Sequence, residues 1–373
     1  MAEYILNHTG EEIDGLFGEN CTRFGNSSHA EGGETEASGD YAHAEGYNTH
    51  AKNAKAHAEG DQCVASGDSS HAEGDETIAS GKQAHAEGHT TQAIGSSSHA
   101  EGKETEARGA HSHAEGQQAI AEGEDSHAEG RNARTTGVAS HAEGLFTEAN
   151  GVGAHAEGEW SIANGETAHA EGANTKALGN GSHAEGYYTQ AGESIDGLPF
   201  GNYSHAEGDS TKTTGWSSHA EGRSTVANGD YSHAEGWNTV TNNNGEHACG
   251  KYNVSSQGNN AADRTIFSVG IGTDSDARKN GLEVRENGDA YFWLNGTYVR
   301  LQDVLNSTGG GSGAPTLPMP DMTQYATIEY VDGKIGDINT ILESIIGGGS
   351  YYYGLAQYSE EEVLNIVDEA LEE

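Results

Sequence analysis

Large apolar side chains are scarce in this sequence. Only 33% of its 373 residues are hydrophobic and 7% are aromatic, while 55 are glycine. A single compact globule of this length would need more apolar surface to offset the conformational entropy lost on folding. Low hydrophobicity with high net charge is typical of disorder, but disordered chains are rich in proline and this one has four. The scarcity of apolar side chains excludes a large apolar core. It predicts that the folded chain is stabilised by something other than the burial of large apolar residues.

Basic residues and cysteines are also few. Lys and Arg number 18 against 59 Asp and Glu, so the net charge is −41. A nucleic-acid binder needs a basic surface, and we therefore expect no nucleic-acid partner. Cys21, Cys63 and Cys249 are far apart without CxxC spacing, which argues against a disulfide framework or a zinc knuckle. A reducing compartment, the cytoplasm, is the expected place of synthesis.

Signals for export and membrane insertion are missing too. The first residues contain no basic segment followed by an apolar one, and no run of 18 apolar residues occurs. We therefore expect neither a secretory signal peptide nor a membrane-spanning helix.

Histidine, in contrast, recurs with a fixed period. Twelve histidines from His29 to His183 are spaced by 14 residues, and after one step of 22 four more run from His205 to His247. The unit reads H-A-E-G-x-x-T-x-A-x-G-x-x-S, and the long step contains an insertion of eight residues at 193–200. Residues 15–28 form a degenerate earlier unit, and Cys249 replaces Glu in the last one. Atypical end units are expected of a capped repeat array.

The repeat predicts strands rather than helices. Two glycines in each unit would weaken a helix, whereas two short strands joined by two glycine turns fit the pattern. Alternation then places the small residues of positions 14, 2, 7 and 9 (Ser or Ala, Ala, Thr, Ala) in a narrow lumen. Stacked units pair in parallel as a β-solenoid that rises about 4.8 Å per coil, so seventeen coils predict a rod of about 80 Å.

The same alternation places His and Glu of positions 1 and 3 on the outer face of one strand. Positions 8 and 10 on the other strand vary freely, as a solvated face does, while His never changes and Glu changes once. We infer that the His and Glu columns pack against other chains as a trimer interface. The His column comprises His29, His43, His57, His71, His85, His99, His113, His127, His141, His155, His169, His183, His205, His219, His233 and His247. The Glu column comprises Glu31, Glu45, Glu59, Glu73, Glu87, Glu101, Glu115, Glu129, Glu143, Glu157, Glu171, Glu185, Glu207, Glu221, Glu235 and, last, Cys249.

The repeat frame resembles the head repeats of trimeric autotransporter adhesins of the YadA type, whose unit is similar to S-V-A-I-G-x-x-S-x-A-x-G. The Gly, Ala and Thr positions of residues 29–253 correspond, while His replaces Val and Glu replaces Ile. The resemblance implies a mainly β fold, a left-handed parallel β-roll homotrimer with the two columns facing the neighbouring subunits. SHAEG arrays followed by a segment like His247–Asn253 and a short β-domain also resemble phage and prophage virion fibres.

Several chemical roles are open to paired His and Glu. An active site is one constellation, so sixteen copies argue against catalysis. Zinc binding is an alternative because imidazole and carboxylate are zinc ligands. We favour a structural ladder in which protonated His pairs with ionised Glu, and expect no catalytic residue, metal site or cofactor. This pairing predicts raised His pKa values and a stabilising contribution that fades as pH rises through them.

The segments outside the array have their own predicted roles. Residues 1–28 are a cap and attachment segment, with a helix N-capped by Thr9 and with Ile13, Leu16 and Phe17 plugging the first coil. The shaft occupies residues 29–260. A small β-meander with two Asn-Gly turns occupies residues 261–306, and a Gly/Pro linker occupies residues 307–321. A trimeric coiled coil at 322–346 and a tip helix within 347–373 follow. The residues at the heptad positions of the coiled coil favour a three-helix assembly. They are Ile328, Val331, Ile335, Ile338, Leu342 and Ile345.

Aromatic residues cluster around the insertion. Exposed aromatic rings can stack on sugars, although packing between coils or subunits is an equally simple role. The candidate receptor contacts are Tyr187, Tyr188, Phe200, Tyr203, Trp216, Tyr231 and Trp237.

These observations together predict a non-enzymatic homotrimeric phage fibre, most simply a tail fibre or tail-associated protein contacting the bacterial surface. Its expected partners are copies of itself, other virion proteins of the tail, baseplate or capsid, and a host surface glycan, and its expected location is the virion after synthesis in the host cytoplasm. A fibre decorating the phage head and a bacterial trimeric surface adhesin are the alternatives. A self-cleaving peptidase end is not expected, because residues after 305 show no Ser/Lys or Ser/His/Asp arrangement.

Overall fold

The computed structural model describes residues 16–195, 198–258 and 260–308. From His29 to His233, each coil of the array contains one five-residue strand that begins at His and one two-residue strand, because the repeat alternates small inward side chains with polar outward ones at these positions. Each strand pairs in parallel with its equivalent 14 residues on, so that His71 faces His85 and Ala72 faces Ala86. The predicted parallel β-solenoid is confirmed, with about sixteen turns.

Two sheets run along the solenoid. The strands of the first, called the His sheet, are Leu16–Glu19, His29–Gly33, His43–Tyr47, His57–Asp61, His71–Asp75, His85–His89, His99–Lys103, His113–Gln117, His127–Arg131, His141–Leu145, His155–Glu159, His169–Ala173, His183–Tyr187, His205–Asp209, His219–Arg223, His233–Trp237 and His247–Lys251. The strands of the second, called the narrow sheet, are Thr22–Arg23, Glu36–Ala37, His50–Ala51, Val64–Ala65, Ile78–Ala79, Gln92–Ala93, Glu106–Ala107, Ile120–Ala121, Arg134–Thr135, Glu148–Ala149, Ile162–Ala163, Lys176–Ala177, Gln190–Ala191, Lys212–Thr213, Val226–Ala227 and Val240–Thr241.

The core is a lumen filled by small side chains, as predicted. Ser70, Ala72, Thr77 and Ala79 are at most 1% exposed, and other coils repeat this set. Among the described residues, every buried apolar side chain belongs to alanine or cysteine. Cys63 takes a Thr position, where its thiol donates a hydrogen bond to the Gly74 carbonyl at 3.2 Å. Burial is therefore achieved coil by coil, without any large apolar residue.

The role predicted for the glycines needs correction. Gly74 lies inside the strand His71–Asp75, and the left-handed positions of the turns in this coil are held by Glu76 and Gln83, at φ 55° and 59°. Gly74 itself has φ +118°, a conformation that residues with a side chain rarely adopt, and a Cβ there would also lie 2.1 Å from the Gly88 carbonyl oxygen. At Gly81, which has no positive φ, the neighbouring coil alone demands glycine, since a Cβ there would lie 1.8 Å from the Gly95 carbonyl oxygen. The glycines let successive coils approach to strand-pairing distance.

The insertion leaves the solenoid as an antiparallel hairpin. Its strands are Glu193–Ile195 and Leu198–Phe200, with Glu193 opposite Phe200. The coils on either side pair directly, so that His183 faces His205. The eight extra residues therefore leave the register of the array unchanged.

The region after the array continues the His sheet. Strand Thr265–Ile271 pairs in parallel with His247–Lys251 and is followed by antiparallel strands Asn280–Arg285, Ala290–Leu294 and Thr297–Arg300. The predicted meander and its Asn-Gly turns are confirmed, but it shares one sheet with the shaft. A short 3-10 helix, Ala261–Asp263, precedes it.

An unpredicted α-helix, Leu301–Thr308, ends the described chain and occupies residues 307 and 308, where the sequence predicts the start of the linker. Within the described residues, no helix has the length and apolar character needed to cross a membrane. The N-terminal helix, the rest of the linker, the coiled coil and the tip helix predicted from the sequence lie outside the described residues. Leu16 and Phe17, predicted to plug the first coil, instead form part of the first strand and pair in parallel with Ala30 and Glu31.

The open end of the narrow sheet is closed by an asparagine. The Val240 N–H donates to Asn253 Oδ1 at 2.7 Å, and Asn253 Nδ2 donates to the Val240 carbonyl at 2.9 Å. The side-chain amide thereby replaces the next strand and satisfies backbone groups that would otherwise be unpaired. Asn280 does the same for Val254, at 2.7 Å for both bonds.

Candidate functional site: the His and Glu columns

The histidine rings of the array form a continuous stack. From His43 to His233, neighbouring ring centroids are 4.5–4.8 Å apart and the planes differ by at most 22°. The spacing equals that of hydrogen-bonded strands because equivalent residues of adjacent coils lie side by side. The insertion does not interrupt the stack, since the ring centroids of His183 and His205 are 4.7 Å apart and the ring planes differ by 1°.

The stack has different ends. His29 meets His43 edge-on at 73°, and His247 is followed in the column by Phe267, with ring centroids 5.5 Å apart. Cys249 occupies the Glu position of the last coil, where burial raises the pKa of its thiol above the usual range. An aromatic ring without ionisable atoms therefore follows the last histidine.

Glu carboxylates accompany the stack at ion-pair distance. In ten coils, His Nε2 and Glu Oε2 of the same strand are 3.4–4.0 Å apart. Of these, the pair His29 and Glu31, at 3.4 Å, also meets hydrogen-bond geometry. The His side chains of these pairs are about one-third exposed and the Glu side chains somewhat more. The columns thus form an outward face, as predicted, but a loosely paired one.

The ring nitrogens of this face are its least satisfied atoms. Within the described residues, fourteen column Nε2 atoms are shielded from water and have no hydrogen-bond partner in the chain. A buried polar atom without a partner costs about 1–3 kcal/mol. The atoms belong to His43, His57, His71, His85, His99, His113, His127, His141, His155, His169, His183, His205, His219 and His233.

For eight of the sixteen column histidines, the single chain shifts the pKa in the direction opposite to the predicted one. Burial, and then the charge of stacked neighbours, lowers the pKa of eight column histidines, and nearby glutamates oppose the shift only in part. Two stacked imidazolium rings repel each other, which the pairing of His with Glu did not take into account. The eight are His43, His71, His99, His127, His141, His169, His205 and His233.

Ligand atoms of metal-binding type also converge on this face. The two His nitrogens and one Glu oxygen of groups such as His57, Glu59 and His71 lie within 4.8 Å of one another. Consecutive groups share a histidine, since His71 also belongs to the group of Glu73 and His85.

The aromatic residues predicted as receptor contacts lie on two different edges of the solenoid. Tyr187, Tyr188 and Trp237 occupy the edge between a strand of the His sheet and the following strand of the narrow sheet. The ring centroids of Tyr187 and Tyr188 are 4.4 Å apart. The other four, Phe200, Tyr203, Trp216 and Tyr231, occupy the edge between a narrow strand and the next His strand. All seven are between 42% and 67% exposed. The structure therefore divides the predicted set into two surfaces.

Sequence reasoning missed a buried carboxyl group at the end of the array. Glu246 is fully buried, and its Oε2 accepts hydrogen bonds from the Asn242 and Asn243 N–H groups and from Ser255. Burial raises the pKa of this carboxyl group, opposed by these hydrogen bonds. The signal was available, because Glu stands at residue 246 where the repeat has Ser or Ala.

The comparison with protein families agrees with this architecture. The model of the YadA head domain repeat, in two copies, matches residues 58–84, 72–98 and 156–182. All three ranges lie in the array, and together with the parallel solenoid they support a YadA-like β-roll. No curated protein matches the chain. The repeats fit a trimeric autotransporter-like adhesin or fibre.

Proposed function

We propose that this chain forms a homotrimeric rod, an adhesin or fibre that presents its β-roll for attachment to a cell surface. The observation that carries the proposal is the row of fourteen buried ring nitrogens without a partner in the chain. Partner subunits packed along this face would supply the missing hydrogen-bond partners, as buried polar groups require. Since sixteen equivalent His and Glu positions form columns and not one constellation, the proposed role is structural and not enzymatic.

A bacterial adhesin fits the family match at least as well as a phage fibre. The matched repeat is that of YadA heads, and the phage assignment rests only on the resemblance of the SHAEG array and the segment after it. The proposal therefore covers both, with the adhesin first and a virion fibre of tail or head as the alternative.

The trimer is tested by mass and by carboxyl footprinting of the full chain. Light scattering should give three times 38.9 kDa, about 117 kDa. Carbodiimide labelling should modify the Glu column less than exposed glutamates elsewhere, such as Glu76, Glu124 and Glu166. In a single chain the column glutamates are about 45% exposed and would react. A mass of one chain, or equal labelling of both sets, would contradict the proposal.

Receptor contact is proposed for the edge that carries Tyr203, Trp216 and Tyr231. These three lie in successive coils beside the insertion hairpin, and aromatic rings stack on sugar rings. Trp216→Ala is expected to weaken binding to host-surface glycans at least about tenfold. Trp237→Ala, an equally exposed tryptophan on the opposite edge, is the matched control and should bind as the parent does. Equal binding by both variants would refute this location.

A further inference from the structure

The outward face of the His sheet concentrates nitrogen and oxygen atoms of the type that binds metal ions. In the coils from His57 to His99, each histidine contributes a shielded, unpartnered Nε2, and the glutamates between them contribute a carboxylate oxygen. In the imidazole tautomer that carries its proton on Nδ1, each Nε2 presents a lone pair toward these carboxylate oxygens, and lone pairs that face one another need a cation or a hydrogen-bond donor between them.

The His and Glu atoms within several coils lie close to the spacing that a metal ion needs. Zinc holds nitrogen and carboxylate oxygen at about 2.0–2.2 Å in tetrahedral geometry, so two of its ligand atoms are about 3.4 Å apart, and a pair at 3.9 Å closes by about 0.5 Å to hold the ion. Nε2 of His57 and Oε2 of Glu59 are 3.9 Å apart, as are the same atoms of His71 and Glu73. The neighbouring histidine completes a group within 4.8 Å and reaches the ion by a small tilt of its ring out of the stack.

The donor set selects the class of ion. Two imidazoles and one carboxylate suit Zn²⁺, Co²⁺, Ni²⁺ or Cu²⁺, whereas Mg²⁺ and Ca²⁺ prefer oxygen alone. Three protein ligands leave a fourth position for water. Because consecutive groups share a histidine, an ion in one group excludes an ion in the next. Sixteen column histidines used in pairs therefore set a maximum of eight ions per chain.

We propose that the His and Glu columns bind divalent transition-metal ions such as Zn²⁺ through His–Glu–His groups of adjacent coils. This goes beyond the proposed attachment role. The bound ions would satisfy those ring nitrogens that partner subunits do not reach, and they would lock neighbouring coils together.

The experiment uses the full chain after treatment with EDTA and dialysis. Calorimetric titration with ZnCl₂ gives the stoichiometry, and titration with Co²⁺ gives the visible spectrum of the site. We expect several ions per chain, not more than eight, and a tetrahedral or five-coordinate Co²⁺ spectrum. Light scattering on the same samples reports the oligomeric state separately, so a monomeric chain that binds metal would refute the trimer and not the metal site.

A triple variant tests the groups directly. Glu59→Gln, Glu73→Gln and Glu87→Gln remove the carboxylates among four histidines that can hold two ions, so the stoichiometry should fall by about two. The matched control makes the same charge change at Glu76, Glu124 and Glu166, which are exposed and off the column, and should bind as the parent does. Equal losses in both variants, or no Co²⁺ spectrum in the parent, would overturn the proposal.

Discussion

Alanine in place of Gly81 is expected to destabilise the solenoid by about 2–4 kcal/mol. The added Cβ would lie 1.8 Å from the Gly95 carbonyl oxygen and 2.8 Å from that of Ile94. These are backbone atoms of the next coil, held by parallel strand pairing on both sides, so they cannot move aside as a flexible side chain could. Urea unfolding should show a lower midpoint, and hydrogen exchange should be fastest in the coils around residues 71–98.

Gly245→Ala is the matched control for this change. Gly245 has φ 68°, a conformation that disfavours alanine, but nothing lies within 4 Å of its Cβ position. Gly81 has no positive φ, so its variant reports only the clash with the neighbouring coil. Gly245 has no close neighbour, so its variant reports only the cost of the backbone conformation. The control should lose about 1–2 kcal/mol. A larger loss at Gly245 than at Gly81 would show that the repeat keeps glycine for turn conformation after all.

Acidification from pH 7.5 to 5.0 is expected to lower the melting temperature by about 5 °C or more in the presence of EDTA. For His71, burial first and then His57 and His85 lower the pKa, while Glu59 and Glu87 raise it less. Glu73 also faces this ring at 3.9 Å. A histidine whose pKa is lowered in the folded state binds protons more readily in the unfolded state. Its contribution to the free energy of unfolding is therefore complete above about pH 6.5 and is lost as the pH falls below that value.

Two triple variants test this pH dependence. Changing His71, His99 and His127 to Asn removes three histidines whose pKa is lowered and should flatten the dependence of melting temperature on pH. Changing His50, His89 and His111 to Asn, all outside the column, should leave it as steep as in the parent. A melting temperature that rises on acidification would contradict this prediction and support the ladder of protonated His and ionised Glu.

The sequence predicted much of the fold because the repeat determines which residues share a face. A period of 14 with alternating small residues required Ala72 and Ala79 to point inward and His71 and Glu73 outward. The Asn287-Gly288 and Asn295-Gly296 turns likewise defined the meander, since this dipeptide favours tight hairpin turns. The helix after Arg300 was missed because the alternating residues up to Leu301 continued the strand pattern.

The site was predicted less completely than the fold. The sequence identified the two columns, but it paired His with Glu because opposite charges attract. The structure shows that His71 also stacks between His57 and His85, whose ring centroids lie 4.5 and 4.8 Å from its own. The aromatic set was treated as one surface because its members are close in sequence, although Tyr188 and Tyr203 occupy different edges.

By itself, the sequence determined the coil period, the filling of the lumen and the residues of the outer face. Those properties depend on the alternation of side chains along a single strand, which the order of residues specifies. Only the tertiary structure decided how the coils meet. Stacking brings residues 14 apart to strand-pairing distance. At that distance a Gly81 Cβ meets the next backbone, histidine rings stack on histidine rings, and burial lowers the pKa of eight of these histidines. Contacts between coils depend on the spacing of strands in three dimensions, which no single repeat contains.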